Sequence, residues 1–198
     1  QPDSGPLIKA YTSLGQTLIM TGQFAAGQEL LEQGVALYDI GQHRDMAFRY
    51  GQDPGVVAFA NLSLVLWLRG YPDQARQQIQ VAVSLARELA HPFTVAYALL
   101  YGNLFHEFSR EWQTVHQLAV EIIAISTEQG FPLWLATGYY HRGRSLAEQG
   151  QLAAGIAEMR QALDTLQAAG FGLYYSMCLA HLSTKLGAVG EVEEALSV

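Results

Sequence analysis

Thr21-Gly22-Gln23-Phe24-Ala25-Ala26-Gly27 recurs in altered form along the chain. It returns as Arg69-Gly70-Tyr71-Pro72-Asp73-Gln74-Ala75, as Gln149-Gly150-Gln151-Leu152-Ala153-Ala154-Gly155, and as Val189-Gly190-Glu191-Val192-Glu193-Glu194-Ala195. Each copy has a glycine, a short turn, and alanine or glycine five residues later. Arg110, in Ser109-Arg110-Glu111-Trp112, fills the same slot without a glycine. Successive slots lie 48, 40, 40 and 40 residues apart. Repetition at such a period is the signature of an array of small supersecondary units, each too small to bury its apolar face alone.

Each unit reads as two helices. Phe59, Leu62 and Leu66 precede one turn at helical spacing, and Leu179, Leu182 and Leu186 precede another. Ile79, Val83, Leu85 and Leu89 follow a turn, as do Leu152, Ile156, Met159, Leu163 and Leu166. No window alternates with period two, so no sheet is expected. Pro6, Pro54, Pro72, Pro92 and Pro132 fall where helices should begin, since the first helical N–H has no partner to lose. Asp53 is a suitable N-cap, and Gly130 and Gly170 are suitable left-handed stops. The predicted repeats span roughly 6–40, 54–90, 92–130, 132–170 and 171–198 within one repeat domain. Residues 41–53 form the one long connection, and Met46, Phe48 and Tyr50 imply that it packs. Gly15, Ser63 and Gly143, seven residues before their turns, pair with Gly27, Ala75 and Gly155, five residues after, so that two helices can approach closely.

Composition excludes several classes. Half of the 198 residues are hydrophobic and 15% are charged, which excludes a disordered chain. The formal net charge of −7 opposes binding to a nucleic-acid backbone. The single cysteine, Cys178, forms no intramolecular disulfide and no zinc-site spacing. The most apolar stretch, near Leu62–Leu68, is shorter than the ~20 residues needed to cross a bilayer. No Arg/Lys-led leader opens the chain. A cytoplasmic protein with no membrane, nucleic-acid, metal or cofactor partner is the expectation.

Helix, tight turn and helix with small residues on both sides resemble the tetratricopeptide repeat, lengthened from its usual period of ~34. Phe48-Arg49-Tyr50-Gly51-Gln52-Asp53-Pro54-Gly55-Val56, Trp67-Leu68-Arg69-Gly70-Tyr71-Pro72-Asp73-Gln74-Ala75 and Glu128-Gln129-Gly130-Phe131-Pro132-Leu133-Trp134 carry a closer likeness. They resemble the C-terminal repeats of bacterial multidomain proteins with a class III adenylate/guanylate cyclase or kinase domain and an AAA/STAND-type ATPase. The resemblance implies an all-α, right-handed solenoid of about five helix-turn-helix hairpins, excised from a larger signalling chain. The phosphate loop G-x-x-x-x-G-K-[ST] of such ATPases is absent, so their nucleotide chemistry does not carry over.

Within that frame, the phase nine residues before each turn slot, with its helical neighbours, marks the concave face. It selects Asn61, Tyr97, Tyr101, Tyr140, His141, Arg144, His181 and Lys185, with Trp67 and Trp134 nearby. Aromatic and arginine side chains in a concavity suit recognition of a protein or peptide; the alternative is packing between helices. His141 and His181, one turn from Cys178, fall short of a zinc ligand set. His106, Glu107 and His116 resemble an acid/base cluster, but a solvated or capping role is expected. Arg144 and Glu148 read as a surface (i, i+4) pair. Gln74, Gln77, Gln78 and Gln80 lower the surface charge, in keeping with contact with another domain or with composition alone. The expected function is non-catalytic: a regulatory module that binds a partner, or the catalytic domain of its own chain, along the concave face. A small-ligand sensor is the alternative, with a pocket at Trp67, Tyr97 and Tyr101. The apolar ends of the solenoid can also stack into a homo-oligomer.

Overall fold

A computed structural model describes residues 3–168 and 172–197, the side chains of 172–174 excepted. Gly170, a predicted helix stop, lies outside the described residues. Among those described there are helices and no strands. They are α1 (Gly5–Met20), α2 (Phe24–Leu37), α3 (Ile40–His43), α4 (Met46–Tyr50), α5 (Pro54–Leu68), α6 (Pro72–Leu89), α7 (Pro92–Phe108), α8 (Trp112–Gln129), α9 (Pro132–Glu148), α10 (Leu152–Ala168), α11 (Gly172–Ala188) and α12 (Val192–Ser197). They form two compact units, Gln1–Phe105 and His106–Val198, so the division falls inside α7. In the first unit α1 packs on α2 and α5, and α5 on α6; in the second α9 packs on α8 and α10, and α11 on α10 and α12.

The five turns have the same construction. Gly22, Gly70, Arg110, Gly150 and Gly190 adopt φ of 81°, 88°, 57°, 89° and 86°. The next N–H in each case bonds to the carbonyl five residues back: Gln23 to Leu18 at 2.8 Å, Tyr71 to Leu66, Glu111 to His106 and Gln151 to Leu146 at 2.9 Å, and Glu191 to Leu186 at 3.0 Å. This bond satisfies carbonyls left over at the end of the first helix, and the left-handed residue makes it reachable. The second helices then bury one stripe in one phase. Gly27, Leu31 and Gly34 of α2 correspond to Ala75, Ile79, Ala82 and Ala86 of α6, to Val115, Ala119, Ile122 and Ser126 of α8, and to Gly155, Met159, Ala162 and Leu166 of α10. In contrast, α5 is buried over most of its circumference, from Pro54 to Leu66. A helix flanked on several sides reads as hydrophobic all round.

The small-residue pairs mark where the helices of a hairpin cross. A Cβ on Gly143 would lie 2.7 Å from the Gly155 carbonyl oxygen and 2.8 Å from Glu158 Cβ. A Cβ on Gly27 would lie 2.9 Å from the Gly15 oxygen. Backbone atoms occupy both spaces, so no side-chain rotation can make room. In the fifth hairpin the Ser183 hydroxyl, at the same phase, donates to the Ala195 carbonyl at 2.6 Å.

The connection at 41–53 differs from expectation, since two short helices, α3 and α4, occupy most of it. Met46 and Ala47 are buried, but Phe48 is 78% exposed and meets the His91 ring edge-to-face at 5.2 Å. A five-residue helix has one inward side, and Met46 and Ala47 take it. Asp53 caps α5: its Oδ1 accepts the Val56 N–H at 2.9 Å and its Oδ2 the Tyr38 hydroxyl at 3.1 Å. The Thr94 hydroxyl accepts the Asp53 N–H at 3.1 Å. His43 is held by Ser4 at 2.9 Å and by the Asp39 N–H at 3.0 Å.

Two substitutions with opposite signs test this geometry by urea unfolding. Gly143→Ala drives a methyl into backbone and is expected to cost about 1–3 kcal/mol. Ala90 ends α6 at φ 52°. A left-handed non-glycine residue costs about 1–2 kcal/mol, and glycine returns about 0.4–1 of that through the unfolded chain. Ala90→Gly is therefore expected to stabilise by about 0.5–1 kcal/mol.

Candidate functional site

The first unit assembles Asn61, Tyr97 and Tyr101 into one polar layer. The Asn61 amide donates to the Val57 carbonyl at 2.8 Å and to the Tyr97 hydroxyl at 2.9 Å. The Tyr101 hydroxyl donates back to Asn61 Oδ1 at 3.1 Å, and Gln16 of α1 donates to the Tyr97 hydroxyl at 3.3 Å. The two phenol rings stack at 4.8 Å. Burial raises both phenols above their ordinary value, so the layer is neutral and each member has a partner. Asn61 is fully buried and the tyrosines nearly so. Trp67 is half-buried, edge-on against Phe105 at 5.4 Å.

The second unit assembles Tyr140, His141, Arg144 and His181 around a residue expected to be solvated. Glu107 lies in the last turn of α7 with its side chain 5% exposed. Its Oε1 is 2.6 Å from His141 Nδ1, and its Oε2 is 3.3 Å from Arg144 Nη1. Arg144 thus pairs with Glu107, not with Glu148 as the (i, i+4) spacing suggested; Glu148 is held by Lys185 at 2.7 Å. Arg144 Nη1 is also 2.7 Å from His181 Nε2, and the guanidinium lies 5.6 Å from the Trp112 ring centre. The Tyr140 hydroxyl bonds to His181 Nδ1. His106 pairs with Glu111 across the turn at 2.6 Å and His116 with Ser145 at 3.1 Å, so the three do not form an acid/base cluster.

Burial by itself would raise the Glu107 carboxyl, but His141 and Arg144 outweigh it and hold the group below its ordinary value. Burial, helped by Arg144, pushes the His181 ring down to about 4, so it is neutral at pH 7. Burial raises the Cys178 thiol to about 12, which leaves no thiolate for nucleophilic chemistry. Among the described residues no group of three or more His, Cys, Asp or Glu could hold a metal ion. No described helix is long and apolar enough to cross a membrane.

Each unit also has a concavity. A cavity of about 240 Å³ in the second unit is lined by Glu107, Arg110, Trp112, Arg144 and Glu148. An open groove of about 700 Å³ in the first unit runs along α6, where Gln77, Gln80, Val81 and Leu85 face Tyr38, Ile40 and Phe59. Glu107, Arg110 and Trp112 were not among the predicted site residues. Arg110 in a glycine slot was the available signal. The glutamine-rich face of α6 was the signal for the groove.

Residues 56–80 match the tetratricopeptide repeat family model. The chain is 21% identical over 178 residues to an uncharacterized protein of Rhizobium meliloti, covering 89% of this chain and 17% of that protein's length. It therefore spans about a sixth of the curated relative it matches. A kinesin light chain of Podospora anserina with TPR-like repeats superposes over all of this chain and 93% of its own, with TM-score 0.69 at 14% identity. A Rap protein complexed with competence and sporulation factor gives TM-score 0.70 at 10% identity over 99% of this chain and 62% of its own. A STAND signal-transduction ATPase of Pyrococcus horikoshii with a tetratricopeptide repeat sensor gives 0.68 at 9%, over 98% and 29%. The fold is an all-α, TPR-like solenoid of helical hairpins.

Glu107 and His181 predict the acid response. Glu107 ionises at lower pH in the folded chain, so its contribution is complete above the ordinary value of 4.5 and is lost as pH falls through its folded value. For His181, the unfolded ring takes up a proton near 6.5 and the folded ring near 4. Stability is therefore complete above that window and falls as pH drops through it. The melting temperature should decline from pH 7.5 to 5, and His181→Gln should flatten that decline. Glu107→Gln leaves Arg144 without its counter-ion and is expected to cost about 3–5 kcal/mol at neutral pH, read by urea unfolding.

Proposed function

We propose that this chain is a non-catalytic interaction module that regulates a larger bacterial signalling protein by binding a peptide or protein segment. The observation that carries the reading is the construction of the two layers. Each is internally bonded, and each holds aromatic or cationic side chains part-exposed at its edge: Trp67 in the first unit, Arg144, His181 and Lys185 in the second. Such a surface loses little freedom on binding, because its supports are already fixed. The fold supports the reading, since repeats of this type are known as interaction scaffolds and the similar Rap protein is complexed with competence and sporulation factor. The match to a small fraction of a longer relative supports a module within a multidomain chain.

The layers also separate structural from recognition residues. Asn61, Tyr97, Tyr101, Tyr140 and His141 set the position of the edge and are too buried to meet a partner directly. A small-ligand sensor is the second reading. It is favoured by the groove along α6, whose volume of about 700 Å³ falls within the ~300–1,000 Å³ of small-molecule sites.

Selection of random 12-residue peptides displayed on phage, followed by calorimetry on the enriched sequences, tests the proposal. Micromolar binding is expected, with at least tenfold weakening in Trp67→Ala or Lys185→Ala. No enriched peptide, together with a thermal shift from a metabolite panel, would transfer the assignment to the sensor.

A further inference from the structure

The glycine slot at the third turn holds an arginine. Four of the five turns use glycine for the left-handed residue, whereas Arg110 adopts φ 57°. A strained position persists where the surroundings over-determine it, and such positions cluster at binding sites. The strain here has no evident return in side-chain contacts, because the Arg110 guanidinium makes no hydrogen bond or ion pair among the described residues and only its backbone N–H is bonded, to the Glu107 carbonyl at 3.0 Å. Its side chain instead lines the cavity beside Glu107 and Trp112.

The cavity has a second donor of the same kind. Arg144 Nη1 is engaged by Glu107 and His181, but its Nε is buried with no partner. The carboxylates at the cavity are already paired with cations: Glu107 with Arg144 at 3.3 Å, and Glu148 with Lys185 at 2.7 Å. Unused donor capacity on two guanidiniums remains, with the Trp112 ring alongside. A planar guanidinium pairs with a carboxylate through parallel N–H···O bonds. The volume of about 240 Å³ is below the ~300 Å³ of the smallest drug-sized sites, so the cavity suits one side chain rather than a whole metabolite. The net charge of −7 does not oppose this at close range, because at physiological salt charges are screened beyond ~8 Å.

We propose that the cavity between Arg110 and Arg144 is a carboxylate subsite, which receives an Asp or Glu side chain of a bound peptide. This deepens the interaction-module reading and rests on it. The arginine replaces glycine because the subsite needs a cation at the turn, and backbone strain is tolerated in exchange for it.

The test is a nuclear magnetic resonance titration of the 198-residue chain, following the indole N–H of Trp112. That signal is assigned among the three tryptophans with Trp112→Phe. The probes are acetyl-Ala-Glu-Ala-amide, its Gln counterpart and free glutarate. The Glu peptide should shift the signal saturably and the Gln peptide should not. Arg110→Gly should weaken binding at least tenfold while raising the melting temperature, which separates lost recognition from lost folding. Arg110→Lys should retain part of the affinity. Glutarate binding without peptide binding would support the carboxylate site and count against the module reading. Equal binding by the Gln peptide, binding indifferent to Arg110→Gly, or no response to any probe overturns the subsite. A peptide that binds regardless of Arg110 leaves the module reading standing.

Discussion

Four of the five hairpins depend on two helices crossing between small residues, seven residues before and five residues after a left-handed glycine. At Gly15 and Gly27, and at Gly143 and Gly155, a single added carbon would meet backbone oxygen. The crossing fixes the angle and phase of each hairpin, and the phase sets which stripe of the second helix is buried. The same stripe therefore recurs in α2, α6, α8 and α10. Stability in such an array is a sum of nearest-neighbour terms rather than the property of one central core. The third repeat departs from the rule at all three positions, with Asn103, Arg110 and Val115 in place of small residue, glycine and small residue. The division between the compact units also falls in that repeat, between Phe105 and His106.

The polar layers answer a second demand. First helices flanked on several sides leave little room for charge, yet the chain places amides, phenols, histidines and an arginine on them. In the first unit every member of the layer is neutral, and the circuit closes through Asn61. The second unit uses ions, and Glu107 survives burial because His141 and Arg144 each offset part of its desolvation. A buried ion pair adds little net stability over an apolar equivalent, but losing one partner is costly. Within the second layer the ion pairs with Glu107 and Glu148 hold Arg144 and Lys185 in place.

Much of the architecture was legible in the residues. The glycine slots, the proline starts and the small-residue pairs placed the long helices to within a few residues, because turn and crossing chemistry is local. The α3 and α4 segments were not legible, since helices this short show no periodicity. Helical phase placed Asn61, Tyr97, Tyr101, Tyr140, His141, Arg144 and His181 on one face of the first helices, and the structure bonds the first three to one another and the last four in a layer with Glu107. It could not tell burial from exposure, because phase gives direction but not depth. The burial of Glu107 is not legible for a related reason. Its partner His141 is 34 residues away and becomes visible only once neighbouring hairpins are stacked.

Amide hydrogen exchange, resolved along the chain, tests the central claim most directly. If crossings between neighbouring helices hold the molecule, the slowest amides should recur at the crossings near Gly15, Ser63 and Gly143, with fast exchange at the turns between them. A single block of slow amides, with no recurrence at the step of the repeats, would contradict the account.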